Sequence, residues 1–139
     1  MQDSHSALNP LATHTLQIRV RYHETDGQRR VHHAVYLHYF ERGRVEMLRA
    51  AGLNYKALED SGRMLVVTEM NIRYHQPAEF DDVLELKVQT LEVRKVRIRH
   101  QYLVQRAGVP IVEAESVIAC IDATGKPSRL PSEFFDLNP

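Results

Sequence analysis

An α+β fold with antiparallel strand pairing is what the pattern of this chain predicts. Two observations carry that prediction. A single long amphipathic helical stretch sits near the N-terminus, with one period-two segment before it and four strand-like runs after it. Strands that follow one another after a lone helix pair most readily as an antiparallel sheet. The length, 139 residues, fits one domain. One helix cannot cover both faces of five strands, so a wrapped sheet or an oligomer is expected.

Residues 1–13 are polar, include Asn9-Pro10, and read as a frayed tail ahead of a single domain over 14–139. From Leu16 the chain alternates. Leu16, Ile18, Val20 and Tyr22 face one way, and Gln17, Arg19 and Arg21 the other, as in a half-buried strand. Residues 23–33 break every period and carry the turn signal Asp26-Gly27. A helix is predicted over about 34–51. Tyr36, Phe40, Gly43, Met47 and Ala50 recur at three- and four-residue steps, and Arg42 and Glu46 stand four apart on the opposite side.

Gly52 suits the position just past the helix, where positive φ costs glycine little. Gly43 costs about 1 kcal/mol in helix propensity against alanine. A close approach of helix to sheet would justify it. A helical turn over 55–59 ends at Ser61-Gly62. Strand runs follow over 64–74, 83–93, 96–104 and 111–121, with a hairpin turn at Ala107-Gly108. Thr124-Gly125-Lys126-Pro127 is a turn, and 131–135 reads as a last helical turn with Pro131 at its first position.

Composition excludes several classes. Lys plus Arg and Asp plus Glu are 18 each, so net charge argues against a nucleic-acid or membrane-surface protein. The longest apolar stretches, such as Met64-Leu65-Val66-Val67, are far too short to insert in a bilayer. Residues 1–14 hold no Lys or Arg and no long apolar run, unlike a signal or transit peptide, so the cytoplasm is the expected location. Cys120 is the single cysteine and reads as buried and inert; no disulfide or Cys-rich zinc site is possible. His32, His33 and His38 do not share a helix face at ligand spacing, so no metal is expected.

The stretch Tyr22-His23-Glu24-Thr25-Asp26, then Val31-His32-His33-Ala34-Val35-Tyr36-Leu37, then Tyr39-Phe40-Glu41-Arg42-Gly43-Arg44 resembles the 4-hydroxybenzoyl-CoA thioesterase family. It is similar above all to the branch of Tol-Pal-associated acyl-CoA thioesterases. Val67-Thr68-Glu69-Met70-Asn71-Ile72-Arg73-Tyr74, Pro77-Ala78, Asp81-Asp82 and Asp122-Ala123-Thr124-Gly125-Lys126-Pro127 agree, so the match spans about residues 15–135. The resemblance implies a hot-dog fold: a curved antiparallel sheet of about five strands wrapped around one long central helix. It also implies a homodimer or homotetramer with active sites at the subunit interface, an acyl-CoA substrate and no cofactor.

By family position the catalytic carboxylate falls on Asp26, as nucleophile or as general base for water. The backbone N–H of His33, at the positive end of the helix, would polarise the thioester carbonyl. His32 and Tyr36 would contact substrate, and Arg94 and Lys95, between two strands, would contact CoA phosphates. Glu41 is a reserve acid, read chiefly as an ion-pair partner of Arg44, and Glu69 is read as a half-buried anchor for the loop or an arginine. The chain departs from the family at Gln28-Arg29-Arg30, where small residues and glycines are usual, and at Val35, where asparagine is usual. Those departures keep a non-catalytic acyl-CoA or acyl-carrier binding protein open as an alternative. An acyl dehydratase built on the His33 imidazole ranks lower, because the glycine- and proline-rich context of such a histidine is missing.

Overall fold

The computed structural model describes residues 9–139. Five strands form one antiparallel sheet: β1 (Thr13–Arg19), β2 (Met64–Tyr74), β3 (Val83–Val93), β4 (Arg97–Arg106) and β5 (Val109–Ile121), in the order β1-β3-β4-β5-β2. One long helix, α1 (Val35–Ala50), packs against β1 and β3, and a short helix, α2 (Tyr55–Asp60), follows it. This is the curved sheet and central helix of the hot-dog fold.

Alternation explains the sheet's two faces. Along β4 the buried side chains are Ile98, His100, Tyr102 and Val104, and along β5 they are Val112, Ala114, Ser116, Ile118 and Cys120, with Ile111 also buried where the β4–β5 register shifts. The β4–β5 hairpin turns at Ala107 and Gly108, both at positive φ, as a two-residue turn matched to strand twist requires. Gly43 has the packing reason its position called for. A Cβ built there would meet Val88 Cγ2 at 2.5 Å and Leu86 Cδ2 at 2.8 Å, so only glycine lets α1 press this close to β3. Gly52 lies just beyond the helix at φ +80.

Some boundaries differ from the sequence reading. Residues 1–8 of the expected tail lie outside the described residues. Asn9 instead caps a 3-10 turn (Pro10–Ala12) through its side chain, Ala12 is buried, and β1 already begins at Thr13. The first strand ends early because the chain turns at Arg21 into a 3-10 turn (Tyr22–Glu24), which leaves Tyr22 exposed rather than on a buried face. Pro131 caps the last 3-10 turn (Ser132–Leu137) from outside it. Glu46 pairs with Arg49 rather than Arg42.

The interior divides in two. One apolar cluster gathers Tyr39, Phe40, Leu86, Val88 and Tyr102; the other gathers Leu48, Ile98, Ile118, Leu130 and Phe134. Between them runs the polar rung Thr90–His100–Ser116, three paired residues on β3, β4 and β5, all buried.

Candidate active site

The loop before α1 is a small hairpin of its own. Thr25 and Val31 form an antiparallel bridge, and the Asp26 N–H donates to the Arg30 carbonyl at 2.8 Å. The Arg29 N–H closes a turn onto the Asp26 carbonyl at 3.0 Å, with Arg29 itself at φ 65. That arrangement is a turn followed by a left-handed residue, a common way to join two strands with a bulge. The loop is tied to its surroundings by the Val31 N–H to Ala78 carbonyl bond (2.8 Å) and the His32 N–H to Glu24 carbonyl bond (2.9 Å).

Inside this hairpin the Asp26 carboxylate is held by backbone. Oδ1 accepts from the Gln28 N–H at 2.8 Å and from the Arg30 N–H at 3.3 Å. Those donors, the Gln28 bond foremost, hold its carboxyl below the usual carboxylate range. At neutral pH Asp26 is therefore an anion fixed in direction. Asp26 thus is a turn residue and at the same time a carboxylate fixed in direction.

The start of α1 is electrostatically open. Its cap residue, Ala34, brings no side-chain oxygen, and no acidic residue stands in the first turn. The His32 carbonyl accepts from the Val35 N–H (2.9 Å), and the His32 ring Nδ1 accepts from the Ala34 N–H (3.2 Å). The His33 N–H donates to no group among the described residues. The His33 carbonyl is clasped by the Tyr74 hydroxyl at 2.9 Å, which fixes that peptide against the end of β2. The His32 and His33 rings stack at 4.3 Å and are both exposed. A fixed anion, an uncapped helix N-terminus and a free N–H can together polarise a carbonyl and attack it, or activate water beside it.

Other sequence candidates lie elsewhere. Tyr36 is 2% exposed, edge-on to Tyr39 and Tyr74, with its hydroxyl pushed up to about 12 by burial. It belongs to the helix stripe that faces the core. Glu41 is exposed and does not pair with Arg44, whose guanidinium instead donates to the Tyr102 hydroxyl at 3.0 Å. Glu69 is exposed beside a bulge in β2 rather than half-buried. Arg94 and Lys95 do lie between β3 and β4, and Arg94 pairs with Glu92 at 3.0 Å. They stand past the far end of β3 from the Asp26 hairpin, about 30 Å away at the usual rise of a strand. Among the described residues no three of His, Cys, Asp and Glu gather where they could hold a metal ion, and no helix is long and apolar enough to cross a membrane.

Sequence reasoning passed over two features. Tyr74 as a clasp on His33 required knowing where β2 ends. His100 had a signal, since strict alternation along β4 turns it inward with Ile98, Tyr102 and Val104. A groove of about 750 Å³ on the outer face of the sheet, lined by Glu69, Arg73, Arg99, Glu113 and Glu115 among others, holds neither Asp26 nor His33. Its charged walls lack the anion-and-donor pairing of the α1 terminus, so its size does not make it the site.

The comparisons with known proteins converge. A family model described as "Thioesterase-like superfamily" matches residues 20–136. The acyl-CoA thioester hydrolase YbgC of Escherichia coli is 34% identical over 116 residues, covering 82% of this chain and 87% of that protein. A putative esterase of Aquifex aeolicus is 31% identical over 119 residues, covering 86% and 92%. The crystal structure of a probable thioesterase from Bartonella henselae superposes with a TM-score of 0.81 at 37% identity, covering 86% of this chain and all of that one.

Proposed function

The chain belongs to the thioesterase-like superfamily and is a thioester hydrolase, and on that premise we propose that it cleaves an acyl-CoA to the free acid and CoA through Asp26 and the His33 backbone N–H. One observation carries the reading: Asp26 is held as an oriented anion by the Gln28 and Arg30 N–H groups, beside a helix start whose His33 N–H is not engaged. In the reaction the carbonyl oxygen gains charge and accepts from that N–H. Asp26 either attacks the carbonyl carbon, giving a mixed anhydride that water then opens, or takes a proton from water as it attacks. In both, the C–S bond breaks and the CoA thiolate leaves and takes up a proton.

The exposed edge of the His32 ring, stacked on His33, is offered to the pantetheine side of the substrate. Arg94 and Lys95 lie out of reach of the Asp26 of their own chain, so their proposed phosphate contacts require a second copy. The sheet supports one. β2 is an edge strand with β5 on one side only, and it exposes Met64, Val67 and Tyr74. An unpaired edge of that length leaves a row of backbone N–H and C=O groups that a strand of a second copy could pair with. We place the enzyme in the cytoplasm as a homodimer or a pair of homodimers.

The test is a panel of acyl-CoA substrates, with thiol release followed for the native protein and Asp26→Asn. Loss of about 10²–10⁴-fold in kcat for the variant is expected. Full activity in Asp26→Asn, or no turnover of any chain length by the native protein, would overturn the reading. Repeated turnover in heavy-oxygen water separates the two routes: direct attack, with water opening the anhydride at the Asp26 carboxyl carbon, leaves label in the Asp26 carboxylate, whereas activation of water leaves it only in the product acid.

A further inference from the structure

Four consecutive backbone N–H groups cross the start of α1, from His32 to Val35. Three of them are engaged. The His32 N–H donates to the Glu24 carbonyl at 2.9 Å, the Ala34 N–H to His32 Nδ1 at 3.2 Å and the Val35 N–H to the His32 carbonyl at 2.9 Å. The His33 N–H is the one left over among the described residues. The bond that opens this row comes from Glu24, two residues before Asp26. Glu24 therefore stands next to both halves of the candidate site, the anion and the donor.

The Glu24 side chain joins the same two halves. Its Oε1 accepts from the Arg21 N–H at 2.8 Å and from the Tyr39 hydroxyl at 2.8 Å. The first bond closes the 3-10 turn (Tyr22–Glu24) locally. The second reaches fifteen positions along the chain, into α1. Closing a three-residue turn needs only the first. Tyr39 is 3% exposed and edge-on to Tyr36 at 5.6 Å, so packing holds its ring. Burial and then the Glu24 carboxylate push the Tyr39 hydroxyl up, so it keeps its proton and remains a donor. A hydroxyl donating to a carboxylate is a strong bond with a preferred direction. The turn is stiff on its own side too, because the Thr25 N–H and hydroxyl both donate to the Tyr22 carbonyl, at 3.2 and 2.7 Å.

We infer that Glu24 is a positioning residue for thioester cleavage: it bridges Tyr39 of α1 to the base of the Asp26 hairpin and so sets the separation of the Asp26 carboxylate from the His33 N–H. The inference rests on the reading of Asp26 and His33 as the reacting pair and adds the side chain that spaces them. Asp26 sits on a loop and the His33 N–H at the start of a helix. Their distance is fixed only where loop and helix are joined close to both. The other ties run to different elements: the Val31 N–H bonds the Ala78 carbonyl, and the Tyr74 hydroxyl holds the His33 carbonyl to the end of β2. The Glu24–Tyr39 bond joins the base of the hairpin to α1 itself. Glu24 touches no reacting atom and acts through that spacing.

The test compares Glu24→Ala, Glu24→Gln and Tyr39→Phe in the full chain by two measurements. In the thiol-release assay Glu24→Ala should lower kcat about 10–10²-fold, the cost of a misplacement near 1 Å, and leave KM within about threefold. Tyr39→Phe keeps the buried ring and removes only the hydroxyl. It should lower kcat by less, and the double variant should fall no further than Glu24→Ala alone, because both changes break one bond. Glu24→Gln keeps an oxygen that can accept both bonds and should recover most of the loss. The second measurement needs no turnover. Amide hydrogen exchange at Thr25 and His32 should quicken about tenfold or more in Glu24→Ala, while the amides of β3 and β4 keep their protection. Native kcat in both Glu24→Ala and Tyr39→Phe would overturn the inference, as would hairpin amides that stay protected in Glu24→Ala. So would a loss of kcat that only follows a loss of folded protein, with core amides opening alongside the hairpin and no rescue by Glu24→Gln. Failure of the Asp26 reading looks different: Asp26→Asn keeps full activity, or the native protein turns over no acyl-CoA. Hydrogen exchange then still decides whether Glu24 holds the hairpin to the helix.

Discussion

The Asp26 hairpin and the His100 rung are opposite solutions to placing a polar group. Asp26 lies in an exposed loop, yet its Oδ1 is met by two backbone N–H groups of its own turn. His100 is buried in the core, yet its nitrogens meet no partner among the described residues. A group satisfied by its own loop is held in place at little cost to the fold. A group left unmet in the core costs stability. The first pattern fixes a carboxylate in direction, and the second leaves a strained point in the core.

The largest expected effect comes from setting Asp26→Asn against His100→Leu. The asparagine keeps an oxygen for the Gln28 and Arg30 N–H groups, so the hairpin and Tm should be unchanged while kcat falls about 10²–10⁴-fold. The leucine should do the reverse. Stability should rise by about 1–3 kcal/mol, and acyl-CoA substrates should still be turned over. Denaturant unfolding beside a thiol-release assay reads both. If Asp26→Asn unfolds the chain, or His100→Leu destabilises it, the contrast between the two regions is lost.

The pH profile sharpens the first half of that contrast. The folded hairpin lowers the Asp26 pKa, so the native anion persists below the ordinary carboxylate value of 3.8 and is lost only as pH falls through the lowered value. kcat/KM should therefore stay level from neutral pH down toward that value, as far as the fold survives. An acid limb well above that value would assign the titrating group elsewhere than Asp26.

Gly43 lies on the helix between the two regions, and its contact with β3 sets how closely α1 sits on the sheet. Gly43→Ala would gain about 1 kcal/mol of helix propensity. Its Cβ would meet Leu86 and Val88, both fully buried and without room to yield. Overpacking of this kind costs about 1–3 kcal/mol, so a net loss of stability is expected in urea unfolding. A net gain would mean that α1 can lift from the sheet.

The two regions were unequally legible from the amino-acid order. The alternation of β3 and the helical stripe of α1 placed most elements, because burial on one face leaves a period in the sequence. The Asp26-Gly27 turn was legible for the same local reason: a short-range hydrogen-bond pattern is written in neighbouring residues. The burial of Tyr36 was legible only as a place on the apolar stripe, because periodicity says which side of a helix is apolar, not whether that side meets core or ligand. Arg44 was read as a partner of Glu41, although its bond is to Tyr102, fifty-eight positions away. The Thr90–His100–Ser116 rung depends on strand register, and register is set by pairing rather than by any one segment.

The smallest effect tests the feature by which this hairpin departs from its family. Arg29 stands at φ 65, a backbone region where a side chain is strained and glycine is not. The turn nevertheless closes, and the side chain points away from the core, exposed. Arg29→Gly should relieve the strain but give the unfolded chain more freedom, so the two terms oppose each other and the net gain should be below about 1 kcal/mol. The Gln28 and Arg30 N–H groups remain, so Asp26 keeps its direction and kcat on a plain acyl-CoA should not change. If KM rises while kcat holds, the guanidinium contacts the CoA arm, and the departure is a substrate contact of the active-site loop. If kcat falls with Tm unchanged, the strained turn itself sets the angle of Asp26, and the satisfied region costs the fold more than its hydrogen bonds suggest.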